Sequence, residues 1–280
     1  MELLLILILL TAAFAAGVLG SMLGIGGGII VVPTLTLLLN LPIHIVIGAS
    51  IVAVIATSSA AATVYVHERL VNIRLGIILE TATATGAIAG ALLIVFTATY
   101  PASKQALSAI FGIVLIYAAF YITYRPEISC KDASEDVSGK FGLSGEYCEK
   151  GRSEKITYKV EHIRRGLLAS FAAGTVSGTL GVGGGIIKVP AMNVWMKVPM
   201  KVATATSNFM IGVTAAASAV IYYSHGFIDP VITSLVATGV FFGAMLGSRM
   251  ACKVESTTIR KAFAVALVFV SVLMFTKAFG

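Results

Sequence analysis

The sequence predicts an all-α polytopic membrane protein built from two homologous halves. Three observations carry that prediction: an apolar composition, a series of long hydrophobic segments, and an internal repeat that registers without a gap. Of 280 residues, 58% are hydrophobic and only 12% are charged, against about 25% charged in a soluble globular domain. Apolar runs of about 20 residues are long enough to cross a bilayer as helices. Eight such segments occur, at about 3–39, 43–66, 75–98, 105–124, 166–196, 202–224, 228–250 and 259–279. The first and fifth are too long for one straight crossing. Leu3–Leu10 lacks a basic leader and runs on into a glycine motif, so it reads as mature protein.

The repeat divides the chain into a first transmembrane half (1–124), a polar linker (125–162) and a second half (163–280). A shift of 157 residues places Gly24 on Gly181, Pro33 on Pro190, Pro42 on Pro199 and Ser50 on Ser207. At the same shift Thr57 meets Thr214, Tyr65 meets Tyr222, Gly86 meets Gly243 and Gly90 meets Gly247. So many coincidences at one offset mean duplication. Duplicated halves of a membrane protein commonly enclose a transport pathway at their interface.

Net charge is +7, and Arg125–Glu161 holds seven basic and eight acidic residues, so the membrane portion carries the positive excess. Orientation follows from Lys and Arg, which concentrate on the cytoplasmic side. If all eight segments cross once, the basic residues split 12 against 8, without a clear bias. If segments one and five fold back at their glycine runs and both termini lie outside, 17 fall inside. These are Arg69, Arg74, the linker's seven, Arg164, Arg165, Lys197, Lys201, Arg249, Lys253, Arg260 and Lys261. Lys104 and Lys277 are then outside, with Lys188 at membrane depth. Each half becomes three crossings plus one broken hairpin, and an odd number inverts the second repeat relative to the first. Cys130 and Cys148 would face the reducing side as free thiols.

The fold-back points are "GIGGGIIVVP" (Gly24–Pro33) and "GVGGGIIKVP" (Gly181–Pro190). Glycine reaches left-handed backbone and permits close approach of another chain. Irregular backbone at membrane depth survives only inside protein or along a wet cavity. A GxGGG break therefore starts a second short helix whose N-terminal N–H groups carry partial positive charge. Two inverted copies bring two such ends together, which suits an anion. The candidate substrate site is accordingly Gly24, Gly26, Gly27 and Gly28 with Gly181, Gly183, Gly184 and Gly185. The competing reading is tight helix packing by small residues.

Ser50 and Ser207 start equivalent stretches, with Thr204, Thr206 and Asn208 beside the second. Their hydroxyl and amide donors suit an oxyanion, or else bond to carbonyls one turn back. Lys188, whose counterpart is Val31, either faces the cavity as the fixed cation or snorkels to the surface. Glu80 is a proton-coupling candidate or an interfacial carboxylate. His67 and His225 read as loop residues, and Tyr65, Tyr222, Tyr223 and Trp195 as interfacial anchors.

The two glycine motifs, each followed at constant distance by a proline and then by "GAS" or "ATSN", resemble the two halves of the TauE/SafE sulfite exporter family. The resemblance covers the chain except the linker. It implies secondary transport of sulfur-containing anions such as sulfite, sulfonates, sulfoacetate or thiosulfate, usually outward. An anion channel on the same frame is the alternative. No nucleophile–base pair, zinc spacing, Walker loop or dinucleotide motif occurs, so the expectation is a non-enzyme with no cofactor, no metal and no nucleic-acid partner. Its partners are a small anion and the lipid bilayer, and its place is the cell membrane, multi-pass.

Overall fold

A computed structural model describes residues 3–38, 41–97, 143, 145–148 and 155–252, with residues 109, 110, 112–114, 116, 117, 120, 268, 271 and 272 besides. Most of segments four and eight and of the linker, with Cys130, lies outside the described residues. The first half comprises α1 (Leu3–Leu23), α2 (Gly28–Leu38), α3 (Ile43–His67) and α4 (Ile73–Thr97). After a two-stranded antiparallel hairpin, β1 (Gly145–Cys148) and β2 (Lys155–Tyr158), come α5 (Ile163–Leu180) and α6 (Gly185–Pro190). A π-helical turn (Ala191–Trp195) prolongs α6, followed by α7 (Met200–Ser224) and α8 (Pro230–Ala251). Among the described residues, α1, α3, α4, α7 and α8 are long and apolar enough to cross a membrane. Large apolar side chains such as Ile77, Phe96, Leu168, Val220 and Phe242 cover the outside, the arrangement a lipid solvent favours.

Element boundaries repeat at the sequence offset, and the local chemistry explains why. Pro42 and Pro199 precede α3 and α7 with nearly the same backbone (φ −56°, ψ 132° and φ −54°, ψ 143°), a fixed-φ entry to a helix. Asn72 and Asp229, also one offset apart, cap α4 and α8: Asn72 Oδ1 accepts from Leu75 N at 3.1 Å, and Asp229 Oδ1 from Val231 N at 2.9 Å.

Segments one and five both fold back. A small cavity between α1 and α2 is lined by Leu9, Ala12, Ala13, Val31, Thr34 and Leu35 together with Val236, so the two helices run antiparallel. In the second half Glu161 N donates to Met196 O at 3.1 Å, which returns the chain to the level where α5 begins. The α1 arm goes deep before it turns. Ser21 O near its tip accepts from Tyr65 OH at 2.9 Å, close to the far end of α3.

Glycine sets the helix pairing. On α4, a Cβ at Gly86 or Gly90 would strike the Phe171 or Thr175 carbonyl of α5; on α8, one at Gly243 would strike the Phe14 carbonyl of α1. Those backbones approach as closely as small-residue membrane interfaces allow. The first helix of each half therefore lies along the last described helix of the other. Between them α3 and α7, equivalent helices, run antiparallel: Ser58 Oγ donates to Asn208 O, and Val54 and Ile211 meet near their middles.

One end of the bundle gathers Leu70, Ala205 and Cys252, the Glu161–Met196 contact and the β-hairpin. Asn72 Nδ2 there donates to Leu143 O and Tyr158 OH, both at 3.0 Å. Burial, offset partly by this bond, pushes the Tyr158 phenol above its ordinary range. The opposite end joins His44 to Phe227, ring centroids 4.9 Å apart.

Candidate functional site

The two breaks have the same geometry. Gly24, Gly26 and Gly27 take φ of 75°, 86° and 65°, and Gly181, Gly183 and Gly184 take 68°, 84° and 70°. Left-handed values at three positions of each motif explain why glycine is needed there. Gly28 and Gly185 open α2 and α6 and serve a different purpose, close approach. A Cβ on Gly28 would run into the Gly181 carbonyl, and one on Gly185 into the Gly24 carbonyl. The breaks thus meet backbone to backbone, with Val54 and Ile211 against both.

Each break is held by a serine from the opposite half. Ser50 Oγ donates to Gly181 O at 2.7 Å, and Ser207 Oγ donates to Gly24 O at 2.9 Å. Both serines are fully buried. Neither serine bonds to the carbonyl one turn back; both hydroxyl hydrogens are directed at backbone carbonyls of the opposite half's break. A left-handed residue turns its carbonyl away from the helical ladder, and a buried carbonyl needs a donor.

Beside the second serine, Asn208 Nδ2 donates to Ser21 O at 2.9 Å and Thr204 O at 3.2 Å, while its Oδ1 is buried without a hydrogen bond. Thr206 Oγ1 accepts from Asn72 N at 3.0 Å, which ties it to the start of α4 rather than to the breaks.

Lys188 does not snorkel. It is 1% exposed, and its Nζ donates to Thr214 Oγ1 at 3.0 Å and lies 3.7 Å from Glu80 Oε2. Thr214 Oγ1 in turn donates to Glu80 Oε1 at 2.7 Å. Glu80 is buried in this network, so the interfacial reading of that carboxylate is corrected: a cation on α6 and a hydroxyl on α7 draw it inward. Among the described residues these two are the buried charged side chains. The network joins the two halves and occurs once, since the symmetry-equivalent positions hold Val31, Thr57 and Ala237. Thr214 is the member that sequence reasoning missed as a site residue, although its register with Thr57 was visible.

Tyr65 and Tyr222 are also corrected. Both are buried, and their hydroxyls donate to Ser21 O (2.9 Å) and Gly178 O (2.8 Å), near the tips of α1 and α5. A phenol long enough to reach a carbonyl on the neighbouring helix satisfies it without water. Tyr223 and Trp195 are exposed, as are His67 and His225. Among the described residues no group of three or more His, Cys, Asp or Glu stands where a metal would need it.

The model of the sulfite exporter TauE/SafE family matches residues 9–274. The chain belongs to the TauE/SafE family. The probable membrane transporter protein YunE of Bacillus subtilis is 26% identical over 271 residues, covering 94% of each chain. YdhB of the same organism, also named a probable membrane transporter protein, is 25% identical and covers 87% of this chain and 89% of its own. A Haemophilus influenzae protein of that name is 25% identical over 97% of this chain and 98% of its own. No solved structure matches. This TauE/SafE chain is a multi-pass membrane protein, and its relatives carry the names of transporters rather than enzymes.

Proposed function

We propose that the protein carries small sulfur-containing anions, of the sulfite, sulfonate, sulfoacetate or thiosulfate class, by alternating access between its two halves. The observation that carries this reading is the meeting of two glycine breaks inside the bundle with a fully buried lysine, Lys188, one turn downstream of the second. Helix starts supply partial positive charge and Lys188 a whole one, while the family's sulfite-exporter description supports the substrate class. In this reading Ser50 and Ser207 hold the two breaks in register and Asn208 braces the first. The antiparallel crossing of α3 and α7 supports inverted repeats. Their exchange of equivalent conformations would open the site to alternate sides, and the insert end, rich in Lys and Arg, is cytoplasmic. The test is a thermal-shift screen of purified protein against sulfite, sulfate, thiosulfate, sulfoacetate and taurine, followed by counterflow in liposomes. A carrier shows stabilisation by at least one sulfur anion and saturable exchange of it. No stabilisation by any of them, or flux without exchange, refutes the reading.

A further inference from the structure

We propose that Glu80 is a built-in competitor for the anion at Lys188, displaced when it takes up one proton, so that the protein moves one proton with each anion. This rests on the reading above that Lys188 receives the substrate.

The geometry of the network is half-committed. Glu80 Oε2 is buried and has no hydrogen bond, because Lys188 Nζ stands 3.7 Å away, beyond hydrogen-bond reach. An ammonium has three hydrogens, and among the described residues Lys188 hydrogen-bonds Thr214 alone. The carboxylate thus balances the lysine's charge while leaving donors open to a better-placed oxyanion.

Charge balance then dictates the proton. With the site empty, Glu80 and Lys188 together are neutral. An anion arriving beside them adds a buried charge with no partner, which is heavily penalised away from water. Protonating Glu80 removes one negative charge, the whole excess for a monoanionic sulfonate and half of it for a dianion, and Lys188 pairs with the anion instead. The step forms one O–H bond on Glu80 from a proton of the bulk water, and release on the far side breaks it. No other reactant is needed.

Thr214 is built to follow that change. Its hydroxyl has two acceptors within reach, Glu80 Oε1 at 2.7 Å and Met210 O at 3.2 Å. When Glu80 is ionised, the Thr214 hydrogen goes to Oε1. When Glu80 is protonated, that hydrogen turns to Met210 O and the threonine oxygen accepts the carboxyl proton. The surroundings leave Lys188 as the charged partner of Glu80. Arg74 on its own helix, Arg164 and Arg165 on α5, and Lys201 on α7 are exposed at the insert end, and Tyr222 on α7 is bonded to Gly178. Because Val31, Thr57 and Ala237 occupy the equivalent places, one transport cycle carries one proton, not two.

The experiment uses the full chain in liposomes with the membrane potential clamped at zero and an entrapped pH dye. Labelled sulfate, thiosulfate and sulfoacetate serve as probes, since they stay ionised between pH 6 and pH 8. The wild type is expected to acidify the lumen by one proton per anion taken up. Its anion affinity should rise by up to tenfold per unit fall in pH, the linkage of one proton. Glu80→Gln should bind the anion more tightly at pH 8, lose that pH dependence, and no longer respond to an imposed pH gradient. Anion uptake by the wild type with no proton, or a Glu80→Gln protein that keeps the wild-type pH slope, overturns the inference and leaves the transport reading standing. If Glu80→Gln does not fold, the wild-type ratio alone decides. If none of the three anions is moved, the transport reading for them and this inference fall together.

Discussion

The contact between the two breaks is the feature most open to a direct test, through Gly28→Ala and Gly185→Ala. Neither glycine has positive φ, so helix propensity alone would favour alanine by about 1 kcal/mol. Space says the opposite. The new Cβ of Gly28→Ala meets the Gly181 carbonyl and stands 2.8 Å from Ser50 Oγ; that of Gly185→Ala meets the Gly24 carbonyl and stands 2.9 Å from Ile25 Cα. Backbone on both sides leaves no rotamer to turn away, so the two breaks must separate. Overpacking of this kind costs about 1–3 kcal/mol, and the upper part of that range applies here. The separation also stretches the serine bonds that cross between the halves. Thermal unfolding in detergent and anion counterflow in liposomes read the two effects, and both variants should lose stability and most of their exchange. Gly76→Ala is the control, because its Cβ would find Phe209 and Thr206 at an ordinary 3.5 Å. If either Gly28→Ala or Gly185→Ala unfolds and exchanges like the wild type, the two breaks do not form one site.

Two further outcomes follow from the same frame. Ser50→Ala and Ser207→Ala each strand a buried glycine carbonyl and should each cost about 1–3 kcal/mol of stability; an unchanged melting temperature for either would show that the crossed bond is not made. Cys148, on β1 at the insert end, should resist a membrane-impermeant maleimide in intact cells and react after lysis, whereas labelling of intact cells would reverse the orientation.

Much of this architecture could be read from residue order. The glycine runs, the prolines at constant distance and the placement of Lys and Arg were enough to predict two fold-backs, and the structure returns both segments toward the side they enter. The depth of α1 was not legible, because nothing in an apolar run marks where its tip lies against a neighbour. The network at Lys188 was hidden for a different reason. Glu80 and Thr214 are 134 residues apart, on helices from different halves, and no periodicity links them. Only the cost of a buried lysine hinted that a partner must exist. Tyr65 and Tyr222 were misread because an aromatic ring near a segment end suits an interface equally well; the deciding fact is a carbonyl at the tip of a neighbouring helix, beyond the end of its ladder. For the serines the symmetry was visible, but the direction of each hydroxyl was not. A left-handed glycine's carbonyl competes for that hydrogen with any ligand.

The crossed serine bonds also impose an order on biosynthesis. The Gly24 carbonyl gets its donor from Ser207, 183 residues later in the chain, and at about 5–20 residues per second that donor arrives about 10–40 s after the first break has been made. For that interval the first half sits in the membrane with its turn unlatched. The Gly181 carbonyl has no such wait, since Ser50 precedes it by 131 residues. The second break can close as it emerges, against a helix already in place, while the first must stay open until the last of its partners is synthesised. A half produced by itself would keep that unlatched turn for good, so the unit that matures as one body is the whole duplicated chain.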